Sequence, residues 1–469
     1  MSGADLDVAV VGAGISGLAA AYRLREAGRS VRVFEAQHRV GGRMASTRHQ
    51  GYLLDEGAET IAARGYDATW ELIRAMGIAP SEVATIDGGF ALWRDGRAHA
   101  HLGHPKGLLT GAGMSWRGRL AWLRLALQLG SYQRSFDPDH PERTALRDMT
   151  ISQFASGRHR DLYDYLLQPL SGHCFGWSPD RSTIAPMLTN LLAVGGVGAQ
   201  WMTYRAGMDT LARALAERVD VSVGSAVGAV EPEPDGARLH FADGGSLTAR
   251  QVLLAVPAPI ALALHTAPPE DERPYLTASG YTPMLKVACL LDRPLPSPTR
   301  SPSYTLSIPG AENRVFAGAI LDHVKEPGRV PPGRGLTSLF VAPSACPELL
   351  DAPDEQVVAV ACAEAERYLP GLRAATTGTF VHRFRYGLPE ATPEAVRQRS
   401  AFLDRPVRRI EYAGDWVMLR PSSEGAVRSA RLAVQRILSH RDAPARLPRG
   451  VAAAATTAHG NGYRERDEL

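Results

Sequence analysis

Val8-Ala9-Val10-Val11-Gly12-Ala13-Gly14-Ile15-Ser16-Gly17 decides the fold of this chain. Four consecutive apolar residues read as a buried parallel strand, and they run straight into a Gly-x-Gly-x-x-Gly turn. Apolar positions at Ile15, Leu18, Ala19, Tyr22 and Ala27 follow close to helical spacing, and Gly28 supplies a C-terminal stop. A second strand is expected over Ser30 to Phe34, with Glu35 at its end. Strand, glycines, helix, strand and acid in this order make a dinucleotide-binding βαβ unit. Gly12 permits the tight turn, Gly14 lets backbone approach a pyrophosphate, and Gly17 lets helix and strand pack closely. The helix N-terminus offers free N–H groups and about half a positive charge to phosphates. Glu35 lies where a carboxylate accepts hydrogen bonds from ribose hydroxyls.

Outward from that unit, the chain is long enough, at 469 residues, for about three domains of ~150 residues and for a core that encloses a cofactor. A net charge of +3 argues neither for nor against a polyanionic partner, but no basic stripe with interleaved aromatics is present, so no nucleic-acid partner is expected. The four cysteines, Cys174, Cys289, Cys346 and Cys362, form no CxxC pair, so neither a metal site nor a disulfide framework is expected. No signal peptide is expected ahead of the first strand, and no apolar run reaches the ~20 residues of a membrane span. The expectation is a cytoplasmic protein. Basic residues are nearly all arginine; the lysines are Lys106, Lys286 and Lys325. A lysine inside an apolar segment is therefore informative.

Arg39-Val40-Gly41-Gly42-Arg43 follows the acid within a few residues, and Leu54-Asp55-Glu56-Gly57-Ala58-Glu59 comes shortly after. Taken alone, Gly41-Gly42 also reads as a surface turn. In this order the motifs resemble the FAD-dependent amine oxidase, protoporphyrinogen oxidase and carotenoid (squalene) desaturase superfamily. The resemblance runs over residues 5–440 as an order of motifs. It implies an α/β fold with a discontinuous, Rossmann-like FAD-binding domain and an interleaved α+β substrate-binding domain. The expected FAD pieces are 1–80, 201–265 and 386–440; the substrate pieces are 81–200 and 266–385. The tail 441–469, rich in Ala, Pro, Arg and Gly, is expected to be disordered. By the resemblance, Gly12, Gly14, Ile15, Ser16 and Gly17 hold FAD together with Glu35 and Ala36. Gly42, Arg43, Gly57, Ala58 and Glu59 are expected to do the same.

Two distal pieces complete the resemblance. Val219 to Val230 alternates, a hairpin follows, and Ala249 to Pro257 closes with a buried strand; by the match, Val227 contacts the adenine through its backbone. Ile410-Glu411-Tyr412-Ala413 leads into Gly414-Asp415-Trp416, and Ser423-Glu424-Gly425-Ala426 opens a helix with one apolar face. The family places Gly414 and Asp415 at ribityl and phosphate, and points Glu424, Gly425 and Ala426 at the flavin's pyrimidine edge. Ala430 stands where many members carry glycine. No cysteine lies near this segment, so non-covalent FAD is expected. No second strand–GxGxxG–helix unit appears, so reoxidation is expected to fall to oxygen, a quinone or another protein.

In the substrate half, Leu166 to Trp177 resembles a stretch where a Pro-Leu helix turns into a loop, and His173, Cys174 and Trp177 read either as substrate-facing or as loop packing. Lys286 sits in the apolar run Met284 to Leu291. Burying an ammonium depresses its pKa by up to ~3–5 units unless a partner compensates. In amine and polyamine oxidases a lysine in a similar strand reaches flavin N5 through a water; the other reading is an edge-strand lysine snorkelling to solvent. Tyr386 and Trp416 are the aromatics expected to wall a flat or apolar substrate, without completing a two-tyrosine cage. The segment 114–130 reads either as a helix covering the substrate cavity or as a surface for peripheral membrane contact. The resulting expectation is an oxidase or dehydrogenase, with Lys286, Tyr386 and Trp416 as catalytic candidates. It takes a hydride from a C–N or C–C bond of a hydrophobic small molecule, in a biosynthetic setting. The rival readings are a flavin-dependent isomerase or mutase, or a hydroxysqualene-type dehydroxylase without net oxidation by oxygen. A colourless binding protein on the same fold is disfavoured by the intact glycines and Arg43.

Overall fold

The computed structural model describes residues 4–111, 113–132, 136–196 and 198–440; the expected disordered tail lies outside the described residues. The strand Leu6–Val11 is the centre of a seven-stranded sheet, with Val8, Ala9 and Val10 wholly buried. On one side it pairs in parallel with Val31–Phe34, which pairs in parallel with Asp220–Ser222. On the other it pairs in parallel with Ser246–Leu254. That long strand carries the antiparallel hairpin partners Gly236–Phe241 and Val227–Glu233 at its first half and the parallel strand Ile410–Tyr412 at its second. The expected continuous alternation over Val219 to Val230 is thus broken into two strands on opposite edges. The chain between them crosses above the end of the second strand, where Glu35 N donates to Ser222 O and Ser225 N donates to Glu35 O.

The helix Ile15–Glu26 packs with Ser423–Ser439 in one core, through Leu18, Ala19, Ala426, Val427 and Ala430. Two glycines are sterically required there. Gly12 has φ +102°, and a Cβ at Gly17 would lie 2.0 Å from Gly12 O. No larger residue lets the first helix sit on its strand.

A second seven-stranded sheet runs in the order Thr376–Pro389, Tyr281–Leu291, Gly335–Val341, Phe316–Leu321, Ser303–Ser307, Gly89–Arg94, Arg97–Ala100. All its pairs are antiparallel except Ser303–Ser307 with Gly89–Arg94. The boundary expected at 385/386 falls inside the strand Thr376–Pro389, because that strand continues its pairing with Tyr281–Leu291 as far as Pro389. The stretch expected to pass from helix to loop is instead wound into π-helical turns at Tyr163–Leu167 and Leu170–Cys174, a form that recurs at functional sites. The helix Trp116–Tyr132 leaves Trp116, Leu120, Leu123 and Leu127 at the surface, Leu127 being 68% exposed. Among the described residues no helix is long and apolar enough to cross a membrane.

Candidate active site

A cavity of about 620 Å³ is lined by residues of both sheets. Its nucleotide end is made by the opening βαβ unit: Gly12, Gly14, Ile15, Ser16 and Glu35 line it. The first helix has no side-chain cap at Gly14, and a Cβ there would meet nothing within 4 Å. Free N-terminal amides thus face open space, the arrangement that receives a phosphate. Glu35 is held by the glycine turn and by its own loop, accepting from Ala13 N at 2.7 Å and Gln37 N at 2.9 Å. The second glycine pair closes on the first: Gly41 N donates to Ala13 O at 2.9 Å. Gly17 and Ala36 do not line the cavity, nor does Val227, which begins its strand on the far edge of the sheet.

Gly42, Arg43, Gly57, Ala58, Gly414 and Asp415 carry the cavity onward. Arg43 donates to Asp415 Oδ1 at 2.7 Å and to Gly387 O at 2.9 Å, while its own carbonyl accepts from Ala58 N at 2.8 Å. Burial opposes the guanidinium charge, but Asp415 and Tyr281 together more than offset it and the pKa stands above its ordinary value. A Cβ at Gly57 would lie 2.5 Å from Arg43 O. Glycine cradle, free helix amides, ribose-side carboxylate and a paired arginine are a donor set that fits FAD.

Of the three residues expected at the second helix, Ala426 lines the cavity but Glu424 and Gly425 do not. Glu424 is wholly buried and caps the helix Asp67–Ala75. Its carboxylate accepts from Thr69 N at 2.8 Å, Thr69 Oγ1 at 2.9 Å and Ala68 N at 3.2 Å, and it pairs with Arg428 at 2.6 Å. Its side chain ties two helices together. Gly425 is required by packing: a Cβ would lie 2.1 Å from Arg420 O.

At the other end the walls are aromatic: Phe90, Tyr281, Tyr304, Phe340 and Tyr386. Tyr281 and Tyr386 meet edge to face with centroids 5.7 Å apart. Sequence reading found Tyr386 and missed Tyr281, which opens a strand and gains its partner only through the register of two distant segments. Trp416 abuts the cavity at 1% exposure, but its ring packs among Tyr275, Phe402 and Tyr412 and its Nε1 donates to Val256 O at 3.2 Å. Packing, rather than a substrate-facing wall, accounts for it. His173 and Cys174 do reach the cavity, whereas Trp177 is buried with its Nε1 on Pro389 O. Burial lowers the His173 pKa to about 4, and the apolar surroundings of Cys174, which is exposed to the cavity, push its thiol up, so at neutral pH both are uncharged.

Lys286 corrects its expectation. It is wholly buried in a central strand, opposite Phe340 and His382, and does not line the cavity. Its ammonium donates to Asp55 O and Glu59 Oε1. Lys325 reaches the same carboxylate at Glu59 Oε2, and also Asp55 Oδ2 at 3.2 Å and Asp322 Oδ1 at 3.0 Å. Arg329 pairs with Asp55 and donates to Thr203 Oγ1 at 2.8 Å. Three cations meet three carboxylates, because a buried ammonium without a counter-charge is prohibitively costly. Of the three residues that meet at this carboxylate, Glu59, Lys286 and Lys325, it is Glu59 that faces the cavity. Burial opposes ionisation of Asp55, yet Arg329 and Lys325 hold its pKa at about 2; for Glu59 burial prevails and the pKa is raised. Lys325 was not singled out, although it is one of three lysines and follows an apolar run.

A model of the flavin containing amine oxidoreductase family matches residues 15–438. The mitochondrial protoporphyrinogen oxidase of Nicotiana tabacum is 31% identical over 190 residues, which is 39% of this chain and 36% of that protein. The match thus spans about a third of that relative's length. A wild-type putrescine oxidase bound to putrescine has a TM-score of 0.75 at 20% identity, covering 92% of this chain and 99% of that one. The cyclohexylamine oxidase of Brevibacterium oxydans has a TM-score of 0.72 at 18% identity, covering 92% and 98%. At such identities the structural likeness shows the fold.

Proposed function

The chain belongs to the family of flavin-containing amine oxidoreductases, and from that premise we propose that it is an FAD-dependent oxidoreductase that oxidises a C–N or C–C bond of a hydrophobic small molecule. The observation that carries this reading is one continuous cavity joining the glycine cradle to an aromatic chamber. FAD, when bound, supplies the hydride acceptor. Glu35, Gly42, Arg43 and Asp415 are the residues that would hold it. Tyr281 and Tyr386, packed edge to face against each other, together wall a flat or apolar substrate. His173 and Cys174, both uncharged, extend the chamber without demanding an ionic substrate. Glu59 presents a carboxyl to the cavity and takes up or releases a proton there, with Lys286 and Lys325 fixing both its oxygens. The electron acceptor is oxygen or a quinone. The cofactor is dissociable: none of the four cysteines lies on the Gly414–Ala426 segment.

The test is anaerobic titration of the yellow protein with amines, porphyrinogens, polyenes and squalenoids. One apolar class is expected to bleach the flavin, with colour returning in air or on adding a quinone. Product formed without any acceptor consumed would replace oxidation by isomerisation. The helix Trp116–Tyr132 is the proposed membrane contact. At ~100° per residue, Trp116, Leu120, Leu123 and Leu127 fall within about 60° of one another, with Arg119 on one side and Arg117 and Arg124 on the other.

A further inference from the structure

Among the cavity-lining residues five polar atoms are buried without a protein partner: Tyr281 Oη, Thr305 Oγ1, and three gathered around the Leu419–Ser423 stretch, Arg420 Nη1, Asn190 Oδ1 and Ser423 Oγ. Arg420 is 2% exposed and Asn190 8%. Native structures leave so few such atoms unsatisfied that three on one wall point to a ligand that completes them.

Their chemistry narrows the ligand. Asn190 Nδ2 donates to Leu419 O at 3.3 Å, which fixes the amide so that Oδ1 is the free acceptor. Arg420 spends Nη2 on Gly65 O at 2.6 Å, leaving Nη1 as a free donor. No carboxylate pairs with Arg420 among the described residues; the neighbouring Glu424 is committed to Ala68, Thr69 and Arg428. The guanidinium therefore has no contact ion pair, Glu424 and Asp139 acting on it only from a distance, and the helix Ser423–Ser439, which begins at the same wall, adds its N-terminal N–H groups. A donor, an acceptor and a hydroxyl that serves as either match an imide edge, where carbonyl, N–H and carbonyl lie side by side. Within FAD the flavin's pyrimidine ring alone presents that edge; adenine does not.

Building on the FAD reading, we propose that Arg420, Asn190 and Ser423 receive the pyrimidine edge of the flavin, and that Arg420 stabilises the negative charge this ring gains on reduction. Asn190 accepts from the ring N–H, and Arg420 and Ser423 donate to the flanking carbonyls.

The experiment uses the FAD-loaded protein, reduced anaerobically in equilibrium with a redox dye, and compares wild type with Arg420→Gln, Arg420→Lys and Asn190→Asp. Arg420→Gln is expected to stay yellow and to shift the dye equilibrium at least tenfold toward oxidised flavin, which is about 30 mV for a two-electron couple. Arg420→Lys, which keeps the charge, is expected to remain within threefold of wild type. Asn190→Asp, which adds a negative charge on the same wall, is expected to shift in the same direction as Arg420→Gln, and it decides the matter if Arg420→Gln fails to fold. An unshifted equilibrium in Arg420→Gln overturns the assignment, whether or not the substrate KM rises; a raised KM would place substrate at this wall instead. A colourless wild-type protein would be a different failure, that of the FAD reading itself.

Discussion

Glu59 shares its two carboxylate oxygens between two ammonium groups, and neither Lys286 nor Lys325 has solvent to fall back on. Lys286→Met fills the same space but strips Glu59 of half its compensation. Breaking a buried pair from one side costs about 3–5 kcal/mol, and a loss of that size is expected in urea unfolding of the FAD-loaded protein. A loss below ~1 kcal/mol would mean that Glu59 simply takes up a proton in the variant. His173 gives a prediction in pH. Its pKa is about 4 in the fold, because burial penalises the charged ring, and 6.5 when unperturbed. The unfolded chain therefore binds the extra proton first, and stability present above about 6.5 is lost as pH falls toward 4. His173→Gln is expected to flatten the fall of the urea midpoint between pH 6.5 and 4 relative to wild type. Parallel curves would show that this ring is not neutral in the native protein. Lys286 was legible in the sequence as a lysine in an apolar strand. Its partners were not, since Glu59 and Asp55 come from the other end of the chain and meet it only through tertiary packing.

At the scale of elements, the exposed stripe of Trp116–Tyr132 is the feature with most to lose in water and most to gain at a lipid surface. Leu127→Glu is expected to weaken co-sedimentation with anionic vesicles at least tenfold, given the roughly 1.5–3 kcal/mol that burying a leucine contributes. High salt should weaken binding further by screening the flanking arginines. Equal recovery of wild type and variant in the supernatant would remove the membrane reading. The opening strand, helix and second strand were readable because their signals are local: apolar run, glycine spacing and helical period within thirty-odd residues. The π-helical turns at Tyr163–Leu167 and Leu170–Cys174 were not, because nothing in side-chain periodicity separates a π turn from an α turn. The Val219 to Val230 stretch misled for a related reason. Alternation marks strand character but not the turn at Gly224 that sends the chain to the opposite edge.

For the molecule as a whole, the cavity lies between two sheets that have no strand in common, so an occupant of the cavity bridges them. Removing FAD by acid ammonium sulfate and adding it back at a hundredfold excess over Kd is expected to restore about 2.7 kcal/mol of stability. A thermal scan checks this: one transition that moves up with added FAD supports the bridge, and a midpoint indifferent to FAD counts against it. Which residues form the walls was only half legible from sequence, since each sheet gathers strands from separate parts of the chain and register decides which side chains face inward. The scarcity of lysine has a further, practical side. Lys286 and Lys325 are sealed in the interior, and Lys106 stands exposed. An acylating reagent offered to the folded protein should therefore tag one side-chain amine, and the unfolded chain three. Counted by mass, the second and third tags become a clock for how often the interior opens.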